Sequence, residues 1–393
     1  LFDRWPRGCD LLHVHNPTLA KNRDFLGVLK ILQQQGVRLF LQIHDFAEDG
    51  RPRHYFEEDY PENCHYGVIN SRDYGLLRAA GLKPVGLHRI DNCVPSLKIK
   101  NDKHLPCNLV LYPVRAIPRK NIGEAILLSI FFPQGQSLAV TLPPTSKIDM
   151  LPYLSWQAFC RTQNLKVIFE AGLHHDFGGL MGGADFILST SISEGFGFCF
   201  LEPWLAGKVV WGRGLPDICG DFSERGIGLN HLYNRLQVPL SWLDGEDFQQ
   251  RWRAALGHCA RRFKLPWESG ALDRAWAAVT RGGRIDFGLL DEPAQRGVLA
   301  RLLANGQMRK ELLKLNLFLK HFGTLPSASQ LIRRNAKAIA RHYSLARYGE
   351  RLQRIYAAVS GTPVAQRIVK SVLLNRFLVP ERFSLLKWRG DDG

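Results

Sequence analysis

Long hydrophobic runs and paired cysteines are both missing from this 393-residue sequence. No apolar stretch approaches the roughly 20 residues that a bilayer-spanning helix needs. Hydrophobic residues make up 45% of the chain and charged residues 22%, which predicts a soluble globular protein. None of the eight cysteines forms a Cys-x-x-Cys pair, so neither a disulfide framework nor a zinc ribbon is expected. A reducing cytoplasm is the simplest setting for such a chain.

Acidic residues are outnumbered, with 36 Asp and Glu against 52 Lys and Arg, for a net charge of +16. Residues 301–393 hold 18 basic and 5 acidic side chains, so most of the excess lies there. An anionic membrane, a nucleic acid or solvent alone could face this charge. No helix-turn-helix, RNP or zinc motif accompanies it, so no nucleic-acid partner is expected. The basic, amphipathic segment 364–378 predicts either packing on the protein itself or peripheral contact with an anionic membrane.

The length of the chain predicts two domains. Strand patterns over 10–15, 39–44 and 66–70 alternate with helical patterns over 20–35 and 71–80, which is typical of a parallel α/β sheet. We expect residues 1–100 to form a partial first domain, and the proline-containing segment 91–107 to be a linker. The chain begins with Leu1 rather than Met, so we expect a fragment that lacks its natural start.

The second half repeats the alternation of strands and helices. The predicted strands are 108–112, 138–142, 167–169, 185–190 and 208–212, and the predicted helices include 149–163, 176–183, 329–341 and 344–359. We expect a second domain over 108–340, with a helical insertion at about 230–320. Residues 341–393 are expected to hold a closing helix and the basic tail.

Polar side chains follow several predicted strands. His15, His44 and Asn70 end strands of the first domain, and parallel sheets bind ligands at that end of their strands. A lone histidine there is more often structural, but two histidines at two strand ends favour a functional site. The cations of segment 113–121 follow the first strand of the second domain, where they form either a diphosphate clamp or a solvated basic loop.

Segment 193–203 is the most informative stretch. It follows a strand, carries Glu194 and Glu202 with seven residues between them, and contains Gly195 and Gly197. A strand–glycine turn–helix unit exposes backbone N–H groups that suit phosphate. Carboxylates suit hydroxyl groups, such as those of a sugar or a ribose. The segment therefore predicts a ligand with both phosphate and polyol character.

In chain order these features resemble the retaining glycosyltransferases of family 4. The matching features are a His-x-His strand, a strand ending in His44, Arg115 with Lys120, and Glu194 with Glu202. The match spans residues 10–217, and residues 343–348 resemble the closing helix of that family. The resemblance implies two Rossmann-like domains that face each other across a cleft, the GT-B fold. It also implies sugar transfer from a nucleotide-sugar donor with retention of configuration.

The resemblance implies a role for each matching residue. Arg115 and Lys120 would hold the donor diphosphate, and Glu194 would bind hydroxyl groups of the donor sugar. Glu202 would bind the ribose, and His44 would lie near the transferred sugar. The backbone N–H groups implied to surround sugar and phosphate are those of Gly195, Phe196, Gly197 and Phe198. Because leaving-group departure places negative charge on the diphosphate, the two cations would stabilise it.

No metal or other cofactor is expected. The sequence contains no Asp-x-Asp, which disfavours the metal-dependent glycosyltransferases, so Arg115 and Lys120 would replace the divalent ion. The family's mechanism requires no dedicated protein base. A hydrolase is disfavoured because Glu194 and Glu202 lie in one segment and a phosphate clamp would serve no purpose there.

The sequence departs from the family pattern at its start, where the first strand and its glycine-rich loop are missing, so the first domain is expected to be truncated. Asn121 and Pro203 also replace residues usual in the family. A non-catalytic nucleotide-binding fragment is therefore the alternative function. Neither the donor base and sugar nor the acceptor follows from the sequence.

Overall fold

Two parallel β-sheets organise the computed structural model, which describes residue 6 and residues 8–100, 102, 104–265, 268–325 and 328–388. Residues 1–5, 7 and 389–393 of the predicted end segments therefore lie outside the described residues. One sheet has four strands and the other five, and every pairing in both is parallel. The predicted α/β class with two Rossmann-like sheets is confirmed.

The first sheet has the strand order β1-β2-β3-β4. Its elements are β1 Leu12–His15, α1 Phe25–Gln34, β2 Leu39–Ile43, β3 His65–Val68, α2 Ser71–Ala79 and β4 Leu87–Arg89. Every residue of β2 and β3 is buried, as expected for parallel strands that are covered on both faces. Helix α2 begins where the Asn70 side chain accepts a hydrogen bond from Asp73 N.

The second sheet has the strand order β7-β6-β5-β8-β9. Its elements are β5 Leu109–Arg115, α3 Ile122–Ser129, β6 Ser137–Leu142, α4 Lys147–Thr162, β7 Val167–Ile168, α5 Ala171–His174, α6 Phe177–Gly183, β8 Ala184–Ser189, α7 Glu202–Leu205, β9 Val210–Gly212 and α8 Pro216–Ser223. Strand β8 lies between β5 and β9. The loops that follow these three strands therefore lie side by side, with the loop of β8 in the middle.

Residues 230–320 are mostly helical, as predicted. The helices are α9 Gly245–Arg262, α10 Ala271–Val279, α11 Glu292–Ala304 and α12 Gly306–Leu315. The sequence pattern missed an antiparallel pair of short strands, β10 Gln237–Pro239 and β11 Arg284–Asp286. Trp252 and Val298 belong to the same hydrophobic core as Val110 of β5 and Trp156 of α4. This region thus completes the core of the second domain.

Three helices close the chain: α13 Ala328–His342, α14 Leu345–Gly361 and α15 Lys370–Phe377. Ile355 and Val359 of α14 pack on Phe40 and Ile90 of the first domain. None of the described helices combines the length and apolar character needed to cross a bilayer.

Within the basic, amphipathic segment 364–378, only 370–377 is helical. Residues before it bond to the first domain instead, because Asn63 N donates to Gln366 O at 2.8 Å and Gln366 Nε2 donates to Cys64 O at 2.7 Å. Ile368 and Leu373 are buried in the first-domain core. The apolar stripe of the tail therefore packs on the protein, the first of the two alternatives. Contact of its basic side chains with a membrane stays a prediction.

Residues 378–388, which we call the C-terminal strap, cross back to the second domain. Phe383 and Trp388 are buried in the second-domain core. Ser384 Oγ donates to Gly288 O at 2.9 Å, whereas Lys387 forms an ion pair with Asp49 of the first domain. The strap thus joins both domains along the cleft between them.

Candidate functional site

The loop after β8 forms the centre of the site. Gly197 adopts a φ of +91°, and a Cβ there would lie 2.9 Å from the Phe200 ring, so the turn requires glycine. A Cβ on Gly195 would lie 3.2 Å from His44 O of the first domain. The predicted helix does not open directly after the glycines, because residues 198–200 form a 3₁₀ turn and α7 begins only at Glu202.

Glu194 is held by two cations. Lys120 Nζ donates to Glu194 Oε1, and Arg119 Nη1 lies 3.8 Å from Glu194 Oε2. Arg119 Nη1 also donates to Ser193 O at 2.9 Å. The Glu194 side chain is only 10% exposed, so water screens these interactions weakly. A basic site therefore surrounds this carboxylate, as the clamp hypothesis requires.

Arg115 does not join this cluster of described residues, and its role at the donor diphosphate stays a prediction. Its exposed side chain donates from Nη1 to Pro143 O at 2.8 Å. The register explains the difference, because Arg115 pairs with Leu142 of β6, away from β8. The turn over 118–120 then returns the chain toward the β8 loop, where Ile192 N donates to Arg119 O at 3.0 Å.

The first domain contributes His44 and Asn70. His15 Nδ1 lies 2.8 Å from His44 Nε2, and Asn16 Oδ1 accepts from His44 N at 2.8 Å. Burial and the neighbouring His15 lower the pKa of His44 below its ordinary value of 6.5, so the ring is neutral at pH 7. Asn70 Nδ2 donates to Gly195 O at 2.9 Å across the domain interface. Polar ends of first-domain strands thus face the glycine loop.

The remaining predicted residues lie behind this surface. Glu202 begins α7, and burial raises the pKa of its carboxyl above the ordinary value of 4.5. Phe196 is buried against Tyr343, with ring centroids 5.8 Å apart, whereas Phe198 is 37% exposed. Glu202 is not among the described residues that line the three cavities of the cleft, which are described below. Its predicted contact with ribose stays a prediction.

Arg213 is a site residue that the sequence analysis did not single out. It follows β9 directly and is 4% exposed. Its guanidinium bonds to both oxygens of Glu124, at 2.9 and 2.6 Å, and to both oxygens of Asp286, at 2.8 and 2.7 Å. The position of Arg213 directly after a predicted strand could have identified it as a candidate site residue. No local signal connects it with Asp286, which is 73 residues away.

Three adjoining cavities run along the cleft. The large cavity, about 550 Å³, is lined by both domains and the strap, including Arg72, Glu194, Arg213, Arg376 and Lys387. The central cavity, about 40 Å³, is lined by His44, Arg119, Glu194, Gly195 and Lys387, among others. The outer cavity, about 300 Å³, includes Arg51, Pro118, Arg119, Asp149 and Lys387. Because Glu194 and Arg119 each line two of them, the central cavity connects the other two.

Comparison with known proteins gives one curated relative. The chain is 29% identical over 260 residues to mannosylglucosyl-3-phosphoglycerate synthase of Petrotoga mobilis, and the match covers 58% of this chain and 50% of that protein. The chain therefore spans about half the length of this relative. No family model matches the sequence.

Two solved structures are similar over most of the chain. Anabaena HepE in complex with UDP-glucose shares 14% identity at a TM-score of 0.49 and covers 89% of this chain and 79% of its own. WaaG, a glycosyltransferase involved in lipopolysaccharide biosynthesis, shares 14% identity at a TM-score of 0.40 and covers 81% and 84%.

Proposed function

We propose that this chain is a glycosyltransferase that moves a sugar from a nucleotide-sugar donor to an acceptor, with retention of configuration and without a metal ion. The observation that carries the proposal is the position of Glu194. It is held by Lys120 and Arg119 of its own domain and faces His44 of the first domain across the central cavity. The relative is named as the synthase of a compound with two sugar units, mannosyl and glucosyl. The similarity to this protein supports sugar transfer as the class of reaction.

In the proposed complex the diphosphate binds at Lys120 and Arg119, next to backbone N–H groups of residues 195–198. These cations stabilise the charge that develops on the departing phosphate. The diphosphate would compete with Glu194 for Lys120. Because the Glu194 carboxylate would then lose this partner, it could accept hydrogen bonds from the hydroxyl groups of the donor sugar. Arg115 reaches the phosphate only if its exposed side chain leaves Pro143 O.

The neutral ring of His44 would exchange hydrogen bonds with the transferred sugar without adding charge to it. Glu202 would bind the ribose from the start of α7. No protein base is part of the proposal, because the donor phosphate itself would accept the proton of the acceptor hydroxyl.

The first test is a thermal-shift screen of the chain with UDP-, GDP- and ADP-sugars. A ligand at 100 times its Kd adds about 2.7 kcal/mol to the free energy of unfolding, which is readily detected. Release of nucleoside diphosphate is then measured for the sugar that stabilises most, with and without a chelator. A rate abolished by the chelator would contradict the metal-independent mechanism.

The variants K120A and E194Q test the site. Loss of Lys120 should weaken donor binding and slow sugar transfer about 100-fold or more, the magnitude expected for a group that stabilises transition-state charge. The control is K314A, an exposed lysine on α12. Unchanged transfer rates in both site variants would overturn the proposal. Donor binding without any turnover would instead identify a non-catalytic nucleotide-binding protein.

A further inference from the structure

We propose that the large cavity binds the acceptor, and that the acceptor carries an anionic group, a phosphate or a carboxylate, which Arg376 of α15 binds. This inference rests on the proposed sugar-transfer function. The name of the relative includes phosphoglycerate, which carries both kinds of group. The inference assigns the cavity and the residue that would bind such a group in this chain.

The position of the cavity follows from the strand order of the second sheet. Lys120 and Arg119 come from the loop after β5, which lies on one side of the β8 loop and Glu194. The large cavity is lined by residues 213–218 after β9, which lie on the other side. The proposed diphosphate site and the large cavity thus adjoin at Glu194, so the hydroxyl of an acceptor in the cavity would lie near the donor sugar and the phosphate that takes its proton.

The carboxylates that line the cavity are already paired with cations. Asp49 bonds to Lys387, Glu194 to Lys120, Asp217 to Arg382 and Asp286 to Arg213. None of these four groups therefore offers an unpaired negative charge to a ligand.

Arg376 is different from the other cations of the cavity. It lies in the last turn of α15, its side chain is exposed, and it forms no ion pair with any described residue. An anion could therefore bind Arg376 without displacing a carboxylate. Arg382 also lines the cavity, but it is paired with Asp217 at 3.1 Å.

The size of the cavity fits a sugar that carries such a group. Its volume of about 550 Å³ lies within the range of about 300–1,000 Å³ that is usual for small-molecule sites. A paired carboxylate such as Asp286 can still accept a hydrogen bond from a hydroxyl group, and the exposed amide of Asn234 can donate and accept them. The lining therefore provides one free cation beside several groups that bind a polyol.

Anchoring of α15 positions Arg376. The next residue, Phe377, packs on Phe46 of the first domain with ring centroids 5.2 Å apart. The guanidinium of Arg72, which also lines the cavity, lies 5.9 Å from the centre of the Phe377 ring. Arg376 is therefore a specificity-determining residue held at a fixed edge of the cavity.

The test uses the full chain and the variant R376Q, with R333Q of α13 as an exposed control outside the cavity. Methyl glucoside is the neutral probe, and glucose 6-phosphate and glucuronic acid are the anionic probes. Binding is measured by calorimetry with a saturating concentration of the nucleoside diphosphate whose sugar stabilises the chain most in the thermal-shift screen, so that phosphate cannot occupy the donor site. We expect the wild type and R333Q to bind an anionic probe about tenfold or more tightly than R376Q does, as one charge-assisted hydrogen bond implies. Methyl glucoside should bind all three proteins equally.

A kinetic readout separates specificity from damage to the fold. R376Q should raise KM for the anionic acceptor about tenfold while kcat and the donor KM stay unchanged. Equal binding of an anionic probe to wild type and R376Q, or no binding of either anionic probe to the wild type, would overturn the inference. Failure of donor binding and of diphosphate release in the wild type would overturn the proposed function instead, so the two failures are distinguishable.

Discussion

Replacement of Arg213 by methionine should destabilise the protein strongly. The side chains of Arg213 and Glu124 are 5% and 0% exposed, so R213M leaves a fully buried carboxylate without its cation. Removing one partner of a buried ion pair costs about 3–5 kcal/mol of the free energy of unfolding. Methionine keeps most of the volume, so little of this loss comes from a cavity. The assay is urea unfolding followed by tryptophan fluorescence.

The double variant R213M/E124Q tests whether the buried charge is the cause. A glutamine at this position can accept from Asn121 Nδ2 and donate to the Tyr233 hydroxyl, which now contact Glu124 at 2.8 and 2.6 Å. It should recover at least about 1 kcal/mol relative to R213M, since a neutral amide is less costly to bury than a carboxylate. R382M, which removes an exposed pair with Asp217, should cost less than about 1 kcal/mol. The reasoning is refuted if R213M costs no more than R382M, or if the double variant is no more stable than R213M.

Two further predictions concern stability. Burial and the neighbouring His65 lower the pKa of His88 to about 4 from 6.5, so the folded protein binds fewer protons than the unfolded chain between these values. The free energy of unfolding should therefore fall as the pH falls from 6.5 toward about 4. In urea unfolding at about pH 5, H88Q should lose less of this free energy than the wild type does. An equal loss in both proteins would contradict this assignment. G123A should cost about 1–3 kcal/mol, because an added Cβ would lie 2.3 Å from Gln295 Oε1. G297A of α11, where no atom lies within 4 Å of the added Cβ, should gain about 0.5–1 kcal/mol in the same assay, and a matching loss in both variants would show that packing is not the cause.

Local sequence patterns were sufficient for strands β1 to β3 and β5 to β9, because each of these parallel strands is a short run of mainly apolar residues between polar turns. They did not predict the short helices α5 and α8. They also placed Glu194 and His44 after parallel strands, and both residues line the central cavity. Their roles in a donor site stay predictions. Local patterns could not decide which cation accompanies Lys120. That choice depends on the register of β5 with β6, which sends Arg115 away and the turn over 118–120 back toward Glu194.

Contacts between distant segments were beyond such patterns. The link between Arg213 and Asp286 depends on the antiparallel pair of β10 and β11, whose strands have only three residues each. The strap could not be predicted either, because 379–388 has no regular periodicity and is fixed by contacts such as the pair of Lys387 with Asp49. The large cavity, which the strap helps to line and in which we propose an acceptor site, therefore could not be predicted from the sequence.

The first domain is discontinuous in the sequence, and this has a consequence for synthesis of the chain. Gln366 accepts a hydrogen bond from Lys83 N across 283 positions, and Lys387 reaches Asp49 across 338. When strands β1 to β4 leave the ribosome, the core that they share with Ile368 and Leu373 still lacks those residues. The second-domain core lacks Phe383 and Trp388 at that stage, so neither core is complete until the strap has been made. A nascent chain arrested near residue 360 should thus be more sensitive to protease in both domains than the full chain is.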